Sequence, residues 1–247
     1  MRILLTNDDG YAAEGLLAMA KALSSQHDIC IVAPDRERSA QSHAMTLRDP
    51  LVLKEHTPGY YSCSGTPVDC VLMVLHGAIP FIPELVVSGI NQGPNLGTDL
   101  IYSGTAAAAR QAIMGGIPGI AVSLADFYPP FQFTALATFV AVNLDGLLDR
   151  RPTDAFLNIN ASGMTGKNLD QLAWTFPCRR IYKDTLHTAK GSRNLTFCFY
   201  TDGDVISVED SGSDEHAVRN GLVAVSAVEV YPRSCHVNEE RNRHEQE

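Results

Sequence analysis

The first two thirds of the chain alternate short apolar runs with stretches whose apolar residues recur at helical spacing. Apolar runs bounded by polar or turn-forming residues are typical of strands buried in a parallel sheet, and they predict strands at residues 3–7, 28–33, 85–88, 119–123 and 156–160. The helical spacing predicts helices at residues 14–25, 68–77, 104–115 and 133–148. Because strand and helix alternate, we expect an α/β fold with a mostly parallel, doubly wound sheet and helices on both faces.

The pattern changes after about residue 161. Residues 170–208 contain short apolar–polar alternations typical of hairpin strands, such as residues 196–200, and the dipeptide at 202–203 (Asp-Gly) is a turn signal. A last helix is predicted to begin near Ser213, and a last strand is predicted over residues 221–226. The chain is therefore expected to have a core at residues 1–161, a C-terminal part of the same domain at 162–237 and a polar tail at 238–247.

The 247 residues carry a formal net charge of −9 and no basic stripe, so duplex nucleic acid and anionic membranes are not expected partners. No apolar run is long enough to span a membrane, and no charged leader precedes the first strand. The six cysteines form no Cys-x-x-Cys pair, which is typical of reduced, structural thiols. A cytoplasmic location is therefore expected.

Adjacent carboxylates follow the first predicted strand, at Asp8 and Asp9. Open α/β sheets bind their ligands at the carboxyl ends of the strands. Two carboxylates side by side repel each other, and a divalent cation, a shared proton or surrounding water would relieve that repulsion. On these residues alone, a metal site and a solvated Asp-Asp-Gly turn both remain open.

Two further loops carry polar groups at strand ends. The loop after residue 34 contains Ser39 and His43, and the glycine-rich segment after residue 88 offers the amides of Asn91 and Asn95 as ligands or donors. Residues 103–105 (Ser-Gly-Thr) open a predicted helix, where hydroxyls and free N–H groups bind an anion or simply cap the helix. Together these groups form a hard-oxygen set that suits Mg²⁺, Mn²⁺ or Ca²⁺ and indicates phosphoryl chemistry.

Five segments of the chain resemble the SurE family, the stationary-phase survival proteins that act as metal-dependent nucleoside monophosphate phosphatases. The segments keep the family's order and spacing, and a looser similarity continues to about residue 231. They are residues 3–10 (ILLTNDDG), 32–39 (VAPDRERS), 64–70 (SGTPVDC), 86–97 (VVSGINQGPNLG) and 102–108 (YSGTAAA). The resemblance implies a Rossmann-like three-layer sandwich. It also implies a C-terminal hairpin and helix that are exchanged between the subunits of a homodimer or homotetramer.

The resemblance implies roles for single residues as well. One divalent metal ion, Mg²⁺ or Mn²⁺ with Ca²⁺ as a substitute in crystals, would be held by Asp8, Asp9, Ser39 and Asn91. The phosphate of the substrate would be bound by Asn95, Ser103, Gly104 and Thr105. Asp8 and Asp9 are the expected catalytic residues, acting either on a metal-activated water or as a covalent nucleophile.

Two departures from the family pattern lie in the loop that carries Ser39. Ala40 and His43 stand where the family usually has Gly and Asn. An imidazole at position 43 could contact the substrate and donate a proton to the departing nucleoside oxygen, or it could have no chemical role. A third departure is at residues 197–200, which replace a strand that usually contains tryptophan.

The expected function is hydrolysis of nucleoside 5′- or 3′-monophosphates, with short polyphosphate as a further candidate substrate. The alternative is a non-catalytic sensor of nucleotide or metal on the same fold, since a fold does not determine a function. A third hypothesis is a hydrolase or transferase that acts on another substrate, such as a glycosyl donor. That hypothesis would leave the full set of motifs unexplained.

Overall fold

The computed structural model describes residues 1–163, 169–201, 203–208 and 210–232. Every strand and helix predicted for the core is present, with small shifts at the ends. The strands are β1 (Arg2–Thr6), β2 (Asp28–Pro34), β3 (Leu53–Thr57), β4 (Tyr60–Cys63), β5 (Leu85–Gln92), β6 (Gly119–Leu124), β7 (Ala155–Ala161), β8 (Leu172–Thr175), β9 (Arg180–Tyr182), β10 (Thr185–Lys190), β11 (Thr196–Thr201), β12 (Val205–Ser207) and β13 (Val223–Glu229). The helices are α1 (Glu14–Leu23), α2 (Pro67–Leu75), α3 (Gly104–Met114), α4 (Phe133–Asp149) and α5 (Asp214–Arg219), with a 3₁₀ helix at Gly97–Ile101.

Within the described ranges, nine strands form one sheet in the order β3-β4-β2-β1-β5-β6-β7-β13-β8. From β4 to β7 all neighbours are parallel, whereas β3 and β13 run antiparallel to β4 and β7. Alternate residues of β1 face opposite sides of the sheet. Ile3 and Leu5 pack with α1 and α4 on one face, and Leu4 packs with α2 and α3 on the other. The prediction of a doubly wound α/β sandwich is therefore confirmed.

The sequence pattern does not indicate the edge strand β3 or its neighbour β4, which lies between β3 and β2. Strand β3 contains Lys54, Glu55 and His56, and its residues are half-buried or exposed. An edge strand does not need the apolar run that marks a strand buried on both faces, and charged residues there block unwanted pairing. Strand β5 also runs beyond its predicted end at residue 88, with an irregular register between Ser88 and Asn91.

The C-terminal part extends the main sheet with β13 and β8 and adds two small sheets, β9 with β12 and β10 with β11. The predicted hairpin strand at 196–200 and the helix beginning near Ser213 are confirmed. Residue 202 of the predicted turn and the tail at 238–247 lie outside the described residues. The division of the chain at residue 161 stays a prediction. Within the described ranges, no helix is long and apolar enough to cross a membrane.

The loop after β2 has a left-handed backbone at two residues that carry side chains. The φ angle is +56° at Ala40 and +53° at Ser42. The Ser42 amide donates to the Tyr102 carbonyl at 2.9 Å, and its hydroxyl donates to the Ile101 carbonyl at 2.6 Å. These bonds fix the loop against the residues that precede α3. The left-handed conformation costs an L-residue about 1–2 kcal/mol, whereas glycine adopts it freely. The backbone at position 40 therefore favours a glycine there.

We predict that Ala40→Gly raises the free energy of unfolding, by up to about 1 kcal/mol, because the relief of strain exceeds the added entropy of the unfolded chain. Urea denaturation of both proteins measures this difference. Ala18→Gly, in the middle of α1, is the control and should lower the free energy by about 1 kcal/mol. A loss of stability of similar size in both variants would contradict the account of Ala40.

Candidate functional site

Three neighbouring strands bring the predicted site residues to one edge of the sheet. β2, β1 and β5 lie side by side and run parallel, so their carboxyl ends coincide. Asp8 follows β1, Ser39 follows β2 and Asn91 lies near the end of β5. These three residues, together with Asn95 and Ser103, line one cavity of about 420 Å³. The cavity lies where open α/β folds bind their ligands.

Asp8 is buried against the first turn of α3. One oxygen of its carboxylate accepts a hydrogen bond from the Thr105 hydroxyl, and its backbone carbonyl accepts one from the Arg38 amide at 2.7 Å. A Cβ atom on Gly104 would lie 3.0 Å from both Cβ and Oδ2 of Asp8. A glycine at this position therefore allows the helix to approach the carboxylate closely.

Burial has electrostatic consequences for both carboxylates. It raises the pKa of Asp8, against hydrogen bonds from the Thr105 hydroxyl and from the Thr105 and Gly104 amides, which lower it. Burial and, after it, the charge of Asp8 raise the pKa of Asp9 to about 7. Oδ2 of Asp9 accepts from the Gln92 amide at 3.2 Å. A bound divalent cation would offset both the desolvation and the mutual repulsion of this pair.

Ser39 and Asn91 present neutral oxygens next to the carboxylates. The Ser39 hydroxyl donates to Oε1 of Glu37 at 2.8 Å, which leaves its lone pairs for a cation. Nδ2 of Asn91 donates to the Gly93 carbonyl at 2.9 Å, so the amide nitrogen is engaged and the amide oxygen is the group left for a ligand. Across the described ranges, no cluster of three or more His, Cys, Asp and Glu side chains could hold a metal ion. The candidate metal site therefore combines two carboxylates with neutral oxygens, a set that suits a hard cation.

At the start of α3 the two hydroxyls have different partners. Ser103 caps the helix, because its Oγ accepts from the Ala106 amide at 3.0 Å, and its hydroxyl hydrogen can still be donated to an anion in the cavity. Thr105 is fully buried and donates its hydroxyl hydrogen to Asp8. The structure thus places Ser103 in the cavity lining, whereas Thr105 and Gly104 contact Asp8.

Asn95 is held by polar residues that the sequence analysis did not identify. Its amide nitrogen donates to Ser123 Oγ at 2.8 Å, and its backbone N–H donates to Asn160 Oδ1 at 3.0 Å. Its carbonyl accepts from Nδ2 of Asn158 at 2.9 Å and of Asn160 at 3.1 Å. A signal was available, since two asparagines in the buried strand β7 require partners for their amides.

His43 lines neither the cavity that Asp8 lines nor an adjoining cavity of about 300 Å³ that Asp9 lines. The two cavities share Ser39 and Gln92. Its Nε2 lies 3.0 Å from Oε1 of Gln111, in the second half of α3. Its buried Nδ1 has no hydrogen-bond partner among the described residues. Burial lowers the pKa of His43, and the nearby charge of Arg110 lowers it further, against the hydrogen bond with Gln111. The neutral imidazole is therefore favoured at neutral pH.

The cavity also has a wall that the sequence analysis did not identify. It is formed by Phe127, which follows β6, by Tyr182, the last residue of β9, and by Asp184, which lies between β9 and β10. The residues of this wall come from distant parts of the chain, so no local motif connects them with the Asp8 loop.

Comparison with known proteins agrees with this arrangement. Residues 3–184 match the family described as Survival protein SurE. A relative from Geotalea uraniireducens, named 5′-nucleotidase SurE, is 39% identical over 232 residues, which cover 93% of each protein. A relative of the same name from Treponema pallidum is 52% identical over 168 residues, or 65% of this chain and 90% of that protein. The crystal structure of the SurE protein from Aquifex aeolicus matches with a TM-score of 0.80 at 29% identity, covering 100% of this chain and 98% of that chain. The chain therefore belongs to the SurE family.

Proposed function

We propose that this protein is a metal-dependent 5′-nucleotidase that hydrolyses nucleoside monophosphates to nucleoside and phosphate. The observation that carries the proposal is the convergence of Asp8, Ser39, Asn91 and Ser103 on one cavity at the carboxyl edge of the sheet. The relatives named 5′-nucleotidase SurE support the same activity. Nucleoside 3′-monophosphates and short polyphosphate are further candidate substrates, because the polar groups around Asp8 would contact only the phosphate.

The residues around Asp8 fit a divalent cation of the Mg²⁺ or Mn²⁺ type. Asp8 and Asp9 would supply the charged oxygens, and Ser39 and Asn91 the neutral ones. When bound, such an ion neutralises phosphate charge and orients the reacting groups. Ser103 would donate its hydroxyl hydrogen to a phosphate oxygen at the start of α3. Thr105 and Gly104 confine the Asp8 carboxylate. Because a confined carboxylate is not free to approach the substrate, we propose that water rather than Asp8 attacks the phosphorus atom.

We propose that a second copy of the chain covers the β10–β11 hairpin. All twelve residues of the two strands are exposed, and they include Leu186, Phe197, Phe199 and Tyr200. A hairpin without a packed face is marginally stable by itself, and a large exposed apolar patch marks an interaction surface. A homodimer or homotetramer in which this hairpin contacts another subunit would bury these side chains.

The first prediction of the proposed function concerns the turnover of nucleoside 5′-monophosphates. The protein with Mn²⁺ should release phosphate from nucleoside 5′-monophosphates, and a chelator should abolish the release. Asp8→Asn and Asp9→Asn should each reduce turnover by about 100-fold or more, because each removes a charged ligand of a hard cation. Titration calorimetry with Mn²⁺ alone should show weaker binding in both variants.

Asp49→Asn is the matched control, because it neutralises an exposed carboxylate of the loop that carries Ser39. Its turnover and Mn²⁺ affinity should equal those of the parent protein. Turnover that persists in both Asp8→Asn and Asp9→Asn at saturating metal would exclude the proposed site. Binding of Mn²⁺ and nucleotide with no turnover of any phosphomonoester would favour the alternative of a non-catalytic sensor.

The second prediction separates the two hydroxyls of α3. Ser103→Ala should weaken inhibition by inorganic phosphate, because the cavity loses a donor. Thr105→Val should instead weaken Mn²⁺ binding, because Asp8 loses the hydroxyl that holds it. Ser103→Ala should also lower stability by about 1 kcal/mol through the lost cap.

Ser213→Ala is the control for the capping effect, since Ser213 caps α5 through the amide of His216. The Ser213→Ala variant should have a lower free energy of unfolding than the parent protein, and inorganic phosphate should inhibit both proteins equally. The division of roles would be wrong if Ser103→Ala behaved like Ser213→Ala, or if Thr105→Val changed phosphate inhibition while metal affinity stayed the same.

The third prediction concerns His43. Its contact with Gln111 and its lowered pKa favour a role in the loop over proton donation to a leaving group. His43→Asn should therefore change kcat for nucleoside monophosphates and for aryl phosphates by the same factor. If His43 were a general acid, it would be needed only for nucleoside monophosphates, because the nucleoside oxygen is a poor leaving group and the aryl oxygen leaves without a proton. A selective loss of about tenfold or more on nucleotides alone would contradict this account and restore the proton-donor hypothesis.

A further inference from the structure

The lining of the cavity is chemically divided. One part is polar and comprises Asp8, Asn91 and Ser103, whereas another part contains the aromatic side chains of Phe127 and Tyr182. Phe127 is 63% exposed and Tyr182 is 44% exposed, so both of these cavity-lining residues retain accessible surface. The volume of about 420 Å³ is in the range of cavities that bind whole small molecules. A phosphate group alone would leave the aromatic part unused.

Tyr182 is held in a fixed orientation despite its exposure. Its hydroxyl donates to Oδ1 of Asp99, and its ring centroid lies 5.7 Å from Cζ of Arg180. Its backbone pairs with Val205 of β12. A side chain that is anchored at its polar tip and open on part of its ring is suited to stack against a flat ligand.

Asp99 lines the same cavity, but its oxygens are already engaged. Oδ2 accepts from the guanidinium of Arg180 and from the Leu96 amide at 3.3 Å, in addition to the bond between Tyr182 and Oδ1. Arg180 is buried and also lies 3.7 Å from Glu215 of α5. Asp99 is therefore a positioning residue that fixes Tyr182. It belongs to the 3₁₀ helix that leads into α3, so it also connects the aromatic wall with Ser103.

We infer that Phe127 and Tyr182 form the binding site for the base of a nucleotide whose phosphate lies at the polar part of the cavity. This inference rests on the proposed function and specifies which part of the substrate the protein recognises besides phosphate. Stacking on aromatic rings tolerates different bases, because every base has a π face. The site is therefore expected to favour nucleotides over simple sugar phosphates, with modest discrimination among bases.

The test compares nucleoside 5′-monophosphates with ribose 5-phosphate, which has the same sugar and phosphate but no base. Tyr182→Ala and Phe127→Leu should each raise KM for the nucleotides by about tenfold and leave KM for ribose 5-phosphate unchanged within about twofold. Tyr182→Phe keeps the ring and loses the bond to Asp99 that positions it, so it should raise KM for the nucleotides by less than Tyr182→Ala does and leave KM for ribose 5-phosphate unchanged. Tyr231→Ala, at an exposed tyrosine beyond β13, is the control and should change neither substrate.

The outcomes separate the base site from the phosphatase activity. Equal kinetics of the parent protein on nucleotides and ribose 5-phosphate would overturn the base site and leave the phosphatase activity standing. If Tyr182→Ala and Phe127→Leu changed KM for nucleotides and for ribose 5-phosphate by the same factor, the base site would also be overturned. Such a result would indicate a general loss of structure. No release of phosphate from any phosphomonoester would instead refute the proposed function itself.

Discussion

The contact on which the rest of the site depends is the burial of the Asp8 carboxylate against the first turn of α3. Burying a carboxylate is costly unless polar groups replace its water. The Thr105 hydroxyl supplies one such group, and the positive end of the helix supplies an electrostatic environment that favours an anion. Gly104 permits the close approach. Because this contact fixes Asp8, it also determines where Asp9 stands and where a cation could bind both carboxylates.

The C-terminal part of the chain contributes to the same cavity through a buried ion network. Arg180 lies between Asp99 of the 3₁₀ helix and Glu215 of α5, and Tyr182 completes the contact with Asp99. A buried arginine of this kind requires its partners, because an unpaired buried charge is strongly destabilising. The network therefore holds the aromatic wall and the start of α3 in one arrangement. Under the proposed function, the core supplies the chemistry on phosphate and the C-terminal part contributes recognition of the base.

The sequence predicted the core well because the signals there are local. Apolar runs define β1, β2, β5, β6 and β7, and the spacing of apolar residues defines the helices between them. The loops with Asp8, Ser39 and Asn91 could be placed together because parallel neighbouring strands end at one edge. The edge strand β3 and its neighbour β4 could not be predicted, since neither has the continuous apolar run of the strands in the middle of the sheet.

The contacts that connect distant parts of the chain could not be predicted from the sequence either. The bond between Thr105 and Asp8 and the position of Tyr182 at the cavity follow only from tertiary packing. His43 illustrates the same limit, because its residue type suggested chemistry in the site and the fold directs it to Gln111. Residue type and spacing therefore indicated which loops matter, and packing decided which atoms face the cavity.

The most direct test of the central claim is a crystal structure of the protein soaked with Mn²⁺ and inorganic phosphate, read from the anomalous scattering of manganese. The account predicts one anomalous peak per chain, within coordination distance of carboxylate oxygens of both Asp8 and Asp9. It further predicts phosphate between that peak and the Ser103 hydroxyl. Manganese bound at another position, or phosphate bound away from the start of α3 while Asp8 and Asp9 hold no ion, would contradict it.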